Sequence, residues 1–199
     1  MNTLVSLVLS IIIMFLISTG LKAQGYKEGY IVTNDGDTLT GLVMNKNTSP
    51  YRVFEKIKFK KNKESDAEEF APDALKSFKI GEDRYISKLT NAGPGPSVNK
   101  FLKIIEERYL RYYELEYTRP ATVNTTLTID NIIRYAILQR PGEKLEFIIQ
   151  VNHVTFDFKK RMVEYLKDDP IVSRKIKKGI YTRNEIGKVV NEYNNHKAL

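Results

Sequence analysis

Two hydrophobic rhythms divide the chain. From Tyr26 to about Val154, apolar positions recur mostly every second residue, the period of a strand with one buried face; beyond Phe156 they recur every three to four, the period of a helix. Tyr30–Thr33 and Leu39–Met44 flank Asn34-Asp35-Gly36-Asp37, and Asp-Gly between β-type runs predicts a hairpin. Val53, Glu55, Ile57 and Phe59 alternate with Phe54, Lys56, Lys58 and Lys60, a mostly apolar face against a mostly basic one. Lys60–Glu69 reads as a charged turn, and short strands are expected at Ser77–Ile80 and Arg84–Leu89 around Gly81-Glu82-Asp83. Asn91–Ser97, with Gly93-Pro94-Gly95-Pro96, admits neither helix nor sheet. Lys100–Glu106 and Tyr109–Tyr117 read as long strands, the second placing Tyr109, Tyr113, Leu115 and Tyr117 on one face with Arg111. Thr118–Thr126 reads as a loop because of its polarity and Pro120. Ile133–Gln139 and Leu145–Val151 close around Arg140-Pro141-Gly142-Glu143 as a last hairpin.

After the period changes, Phe158, Met162, Tyr165 and Leu166 lie at helical spacing. Asp169-Pro170 starts a second helix, with aspartate as cap and proline in the first turn, where its missing N–H costs nothing. Its apolar stripe is read as Ile171, Val172 and Ile176, and Gly179 ends it. Thr182-Arg183-Asn184-Glu185 is a capping box, with Tyr181 and Ile186 as a hydrophobic staple and Ile186, Val189, Val190 and Tyr193 as the buried stripe that follows. Strands first and helices last predict an α+β fold. The expected form is an antiparallel β-meander of about eight strands, curved or barrel-like, followed by three C-terminal α-helices. The stripes are too narrow for a separate helical core, so residues 24–199 are expected to be one domain, with 24–155 as the sheet part and 156–199 as helices packed on it.

Leu4–Ile17 is an apolar run interrupted only by Ser6 and Ser10, shorter than the roughly 20 residues of a membrane span. Ser18-Thr19-Gly20 breaks the run, and Leu21-Lys22-Ala23 offers a small residue for cleavage. Residues 1–23 therefore read as a signal peptide cut between Ala23 and Gln24, which implies a periplasmic or extracellular protein with no transmembrane segment in the mature chain.

The mature chain also resembles a family of uncharacterised exported proteins of Bacteroidetes-type bacteria. The likeness rests on Gly29-Tyr30-Ile31-Val32-Thr33-Asn34-Asp35-Gly36-Asp37-Thr38-Leu39-Thr40-Gly41 and on Phe70-Ala71-Pro72-Asp73-Ala74-Leu75-Lys76-Ser77-Phe78. It rests also on Phe101–Ile104 followed by Leu110-Arg111-Tyr112-Tyr113, and on Tyr165-Leu166-Lys167-Asp168-Asp169-Pro170 with Glu192-Tyr193-Asn194. Relatives often carry cysteine where this chain has Asp169 and Asn195, so a link between those positions in relatives would be missing here. The resemblance implies an envelope or secreted location and no particular activity.

Composition narrows the chemistry. The 199 residues include no cysteine, which excludes disulfides, thiolate metal sites and cysteine nucleophiles. Two histidines, His153 and His196, are too few for a multi-histidine metal centre; His153 reads as a packed or surface residue, His196 as solvated in a frayed terminus. No cofactor and no metal is expected. Asn34, Asp35 and Asp37 lack the later bidentate glutamate of a hand-type calcium loop. Glu114 and Glu116 share one strand face about 7 Å apart, and the tyrosines at 109, 113 and 117 form a stripe that suits stacking on sugars or peptides. These carry the alternative reading, a hydrolase acting on envelope glycans or peptides.

Charge placement carries the main one. Gln24–Phe158 holds 20 basic and 19 acidic residues, whereas Lys159–Leu199 holds 11 basic and 5 acidic. Lys159, Lys160, Arg161, Arg174, Lys175, Lys177 and Lys178 are the candidate binding residues. The expected partner is an anionic envelope lipid, a glycan or an acidic protein; nucleic acid is not expected for an exported chain. The reading is a non-enzymatic binding or structural module with a basic helical surface.

Overall fold

The computed structural model describes residues 25–45, 55–93, 95–122, 128–143, 146–151 and 157–198. The expected signal peptide, its Ala23–Gln24 cleavage point, Val53, Phe54, Leu145 and His153 lie outside them.

The fold is α+β: one open antiparallel sheet of ten strands followed by three helices. The strands are β1 (Lys27–Thr33), β2 (Thr38–Asn45), β3 (Ile57–Lys60), β4 (Glu68–Phe70), β5 (Leu75–Ile80), β6 (Asp83–Thr90), β7 (Val98–Glu106), β8 (Arg111–Thr122), β9 (Thr128–Gln139) and β10 (Phe147–Gln150). Their spatial order is β10-β9-β8-β7-β6-β5-β1-β2-β3-β4. The meander is broken once. From the β4 edge the chain returns in a single 3-10 turn, Pro72–Ala74, to pair β5 with the free side of β1. Four strand spacings on a flat sheet, about 19 Å, would exceed the roughly 18 Å reach of the five steps from Phe70 to Leu75. The β1–β5 end is therefore curled, with Ile31, Val43, Ile57, Phe59, Phe78 and Phe101 packed inside it and Phe70 against them.

Two other expectations are corrected. Glu68 and Glu69 belong to β4 rather than to a turn, with Glu69 beside Lys56 and Lys58 across the ladder. Thr118–Thr126 is not all loop, because β8 runs to Thr122 and β9 starts at Thr128. Pro120 is tolerated because, among the described residues, the β7–β8 ladder stops at Glu114 and Pro120 pairs with β9 alone, so its missing N–H can lie on the open side.

The helices are α1 (Phe158–Tyr165), α2 (Pro170–Lys177) and α3 (Ile186–Lys197). Asp169 caps α2, its Oδ1 accepting from Ile171 N at 3.1 Å and Val172 N at 3.0 Å. Gly179 closes α2 at φ +76°, its N–H donating to Ile176 O and the Ile180 N–H to Lys175 O, a Schellman pair. The capping box before α3 is present, with the Thr182 N–H donating to Glu185 Oε2 at 3.1 Å. Val172, Ile176, Ile186, Val189, Val190 and Tyr193 pack with Phe158, Met162 and Leu166 onto Tyr112, Ala136, Leu138 and Ile149 of the sheet. Ile171 is not in that stripe. It is 55% exposed, because three buried positions already fill the inner face of so short a helix: Val172, Ser173 and Ile176.

Polar clamps fix α3 to one end of the sheet, where β8 begins and β9 ends. The Asn194 amide accepts from Leu110 N at 2.6 Å and donates to Leu110 O at 3.0 Å, while Arg108 reaches Asn191 and Asn195. At the same end, Arg140 from the β9–β10 turn donates to Tyr193 Oη, Tyr165 O and Glu143 and stacks 4.2 Å over the Tyr165 ring. His196 is not loose. Its Nδ1 lies 2.7 Å from Asp169 Oδ2, tying the last turn of α3 to the cap of α2.

Candidate functional site

One row of register partners crosses the inner face of the sheet: Ile149, Ala136, Glu114, Lys103, Tyr85, Phe78 and Ile31. Its ends are apolar, one under the helices and one inside the curl, and its middle is charged. There a cavity of about 230 Å3 opens between Tyr85, Phe101, Lys103, Glu114, Glu116 and Arg134. Each carboxylate in it is engaged: Tyr112 Oη donates to Glu114, and Arg134 donates to Glu116 at 2.9 Å. Lys103 pairs with Asp83 at 2.7 Å. Burial, reinforced by Asp83, pushes the Tyr85 hydroxyl well above the ordinary tyrosine range, so it stays protonated. Among the described residues no carboxylate from a distant segment lines the cavity opposite Glu114 and Glu116. A glycosidase needs two carboxyl groups on opposite sides of the scissile bond.

The tyrosine stripe does not present stacking surface either. Tyr113 and Tyr117 are buried, Tyr117 stacks on Tyr135 at 6.0 Å, and Tyr109 lies before β8 and exposed near Tyr193. The loop after β6 covers this outer face. Ala92 packs with Leu115 and Leu102, and buried Lys100 donates its Nζ to Ala92 O. Asn34 and Asp37 serve the β1–β2 turn, with Gly36 at φ +102° and Asn34 Nδ2 donating to Asp73 O at 2.7 Å. No group of three or more His, Cys, Asp or Glu suited to a metal occurs among the described residues.

The seven basic candidates divide by environment. Lys175 is half-buried, pairs with Glu192 at 2.7 Å and lies 5.6 Å from the centre of the Tyr181 ring, which makes it part of the α2–α3 packing. The hydrogen bond to Glu192 holds its ammonium above the ordinary range. Arg161 donates to Ile148 O at 2.9 Å and stacks 5.0 Å over Phe147, so it blocks a carbonyl of β10, the edge strand. Lys159, Lys160, Arg174, Lys177 and Lys178 are exposed and make no ion pair among the described residues.

The cause is a partition of the acids. Glu164 pairs with Lys167, Asp168 with Lys197 and Arg140, Glu185 with Lys188, and Glu192 with Lys175, while Asp169 is spent on the α2 cap and His196. Of the five acidic side chains from Lys159 to Leu199, four thus neutralise other cations and the fifth, Asp169, is held by the cap and His196. Four of the five unpaired cations converge. Arg174, Lys177 and Lys178 sit at helical spacing of three and four, and Lys159 from α1 meets the end of α2, its Nζ 3.1 Å from where a Cβ on Gly179 would stand. Lys160 stands apart on the β10 side, beside Phe147 and Tyr165. The sequence located the excess charge but could not tell Lys175 and Arg161 from their neighbours, because that needs Glu192 and Ile148 in space.

No match to this chain is found among protein-family models, curated proteins or solved structures. Among the described residues no helix is long and apolar enough to cross a membrane.

Proposed function

We propose that this is an exported envelope protein that works as a non-enzymatic binding module, holding an anionic partner on Lys159, Arg174, Lys177 and Lys178. The observation that carries the proposal is the acid partition: a helical segment with five acids leaves these four cations adjacent, exposed and uncompensated. Opposite charge would be drawn to this corner first, because exposed charges act within about 8 Å at physiological ionic strength. The apolar run Leu4–Ile17 and the family resemblance support export. Protein recovered from the exported fraction should begin at Gln24 by mass spectrometry; an intact Met1 there would contradict that part.

The binding test compares two triple variants that remove equal charge. Arg174→Gln/Lys177→Gln/Lys178→Gln should weaken binding to a soluble sulfated polysaccharide at least tenfold and flatten its salt dependence, mainly through slower association. Lys61→Gln/Lys63→Gln/Lys76→Gln, on exposed positions of the sheet half, should change it by less than about threefold. All six side chains are exposed, so both proteins should melt within about 0.5 kcal/mol per site of the parent. Equal losses in the two variants would reduce the corner to one part of a generally basic surface.

A further inference from the structure

The outward face of α2 is not purely charged. Val172, Ser173 and Ile176 point inward, and at 3.6 residues per turn the residues opposite them are Ile171, Arg174 and Lys178. Ile171 is 55% exposed at the start of that face, and Ile180, just past its end, is 57% exposed. The Schellman turn usually packs the side chain in the place of Ile180 against an apolar residue one turn back. Here that turn offers Lys175 and Arg174, so Ile180 remains in solvent. Two large aliphatic side chains thus flank this stretch, one at its start and one two residues past the cap at Lys178, with Arg174, Lys177 and Lys178 between them in the chain and Lys159 alongside.

Resting on the binding reading above, we infer that this face docks on an anionic lipid bilayer. Ile171 and Ile180 enter the boundary between headgroups and acyl chains, and the four cations pair with lipid phosphates. Cations alone would suit a glycan or an acidic protein equally. The isoleucines decide among them: a hydrated polyanion gives them nothing to be buried in, whereas a bilayer interface takes an apolar side chain and a cation within one turn of each other. The segment is too short to span, so the protein would lie on the surface.

Because the chain has no tryptophan, Ile171→Trp and Ile180→Trp are background-free reporters. Emission of both should shift to the blue on vesicles of phosphatidylglycerol in phosphatidylcholine, and stay unchanged with phosphatidylcholine alone or with the sulfated polysaccharide. In co-sedimentation, Ile171→Ser/Ile180→Ser should lose roughly tenfold in affinity for the anionic vesicles while keeping its affinity for the polysaccharide. Arg174→Gln/Lys177→Gln/Lys178→Gln should lose roughly a hundredfold on the vesicles. Polysaccharide binding without vesicle binding, or vesicle binding indifferent to the serines with no blue shift, overturns the lipid inference and leaves the anionic-partner reading standing. Binding to neither overturns both.

Discussion

Gly41→Ala should cost about 3 kcal/mol or more, a large part of the stability of a domain this size. Gly41 lies opposite Gly29 in the β1–β2 ladder, at the curled end of the sheet. A Cβ on Gly41 would stand 2.2 Å from Lys60 O and 2.8 Å from the Phe59 ring; one on Gly29 would stand 2.0 Å from Lys79 O. The obstacle is space, since neither glycine has a positive φ. The carbonyls belong to strands held by their own ladders, so relief requires uncurling the sheet around the buried Phe59, Val43 and Ile57. Gly187→Ala is the control. Gly187 lies exposed inside α3, where a Cβ meets nothing within 4 Å, and the same substitution there should add roughly 0.5–1 kcal/mol. Denaturant midpoints read both. A Gly41→Ala protein as stable as the parent would mean that β2 and β3 do not approach so closely.

Arg140→Ala should cost roughly 1.5–3 kcal/mol, because it removes the guanidinium from a half-buried charged network and leaves its partners behind. Arg140 is 14% exposed and holds Glu143 at 2.9 Å, Asp168 at 3.1 Å and Tyr193 Oη at 2.9 Å. Burial works against its charge, yet the bonds it donates to Tyr193 and Glu143 outweigh it and hold the guanidinium above its ordinary range. Arg140→Lys should recover only part of the loss, since an ammonium cannot reproduce the planar fork.

The same network sets the response to acid. Burial raises Glu143 and Asp168, but hydrogen bonds from Arg140 and Tyr165 to the first, and from Lys197 and Tyr193 to the second, bring both below the usual carboxylate range. A carboxylate depressed in the folded state adds stability above its unfolded pKa and loses it as pH falls through the folded value. The contribution should therefore fade below about pH 4. Arg140→Ala should show a shallower loss of stability over that range. Parallel acid profiles for parent and variant would remove the network from the account.

What could be read from the sequence follows from range. The caps at Asp169, Gly179 and Thr182–Glu185 are local chemistry and stand where the residues put them. The alternation in β3, β8 and β10 is local too, since the ladder only has to accept it. Interactions between distant segments were hidden. The three residues of β4 are too few to show a period, and its return to β1 is a property of the curl. Pro120 argues for a loop until β8 is seen to have one open side. His196 looks terminal and solvated until α3 brings it to Asp169 across 27 positions. At the candidate site, the charge excess was legible as a count, but which cations stay unpaired depended on where five carboxylates fell.

The most direct measurement is a titration of 15N-labelled protein with the sulfated polysaccharide, followed by amide shifts. The account predicts that the perturbed amides are those of Lys159 and of Arg174–Ile180, and that they return on adding salt. Perturbation centred instead on Tyr85, Lys103, Glu114, Glu116 and Arg134 would contradict it and make the cavity on the inner face of the sheet the binding site.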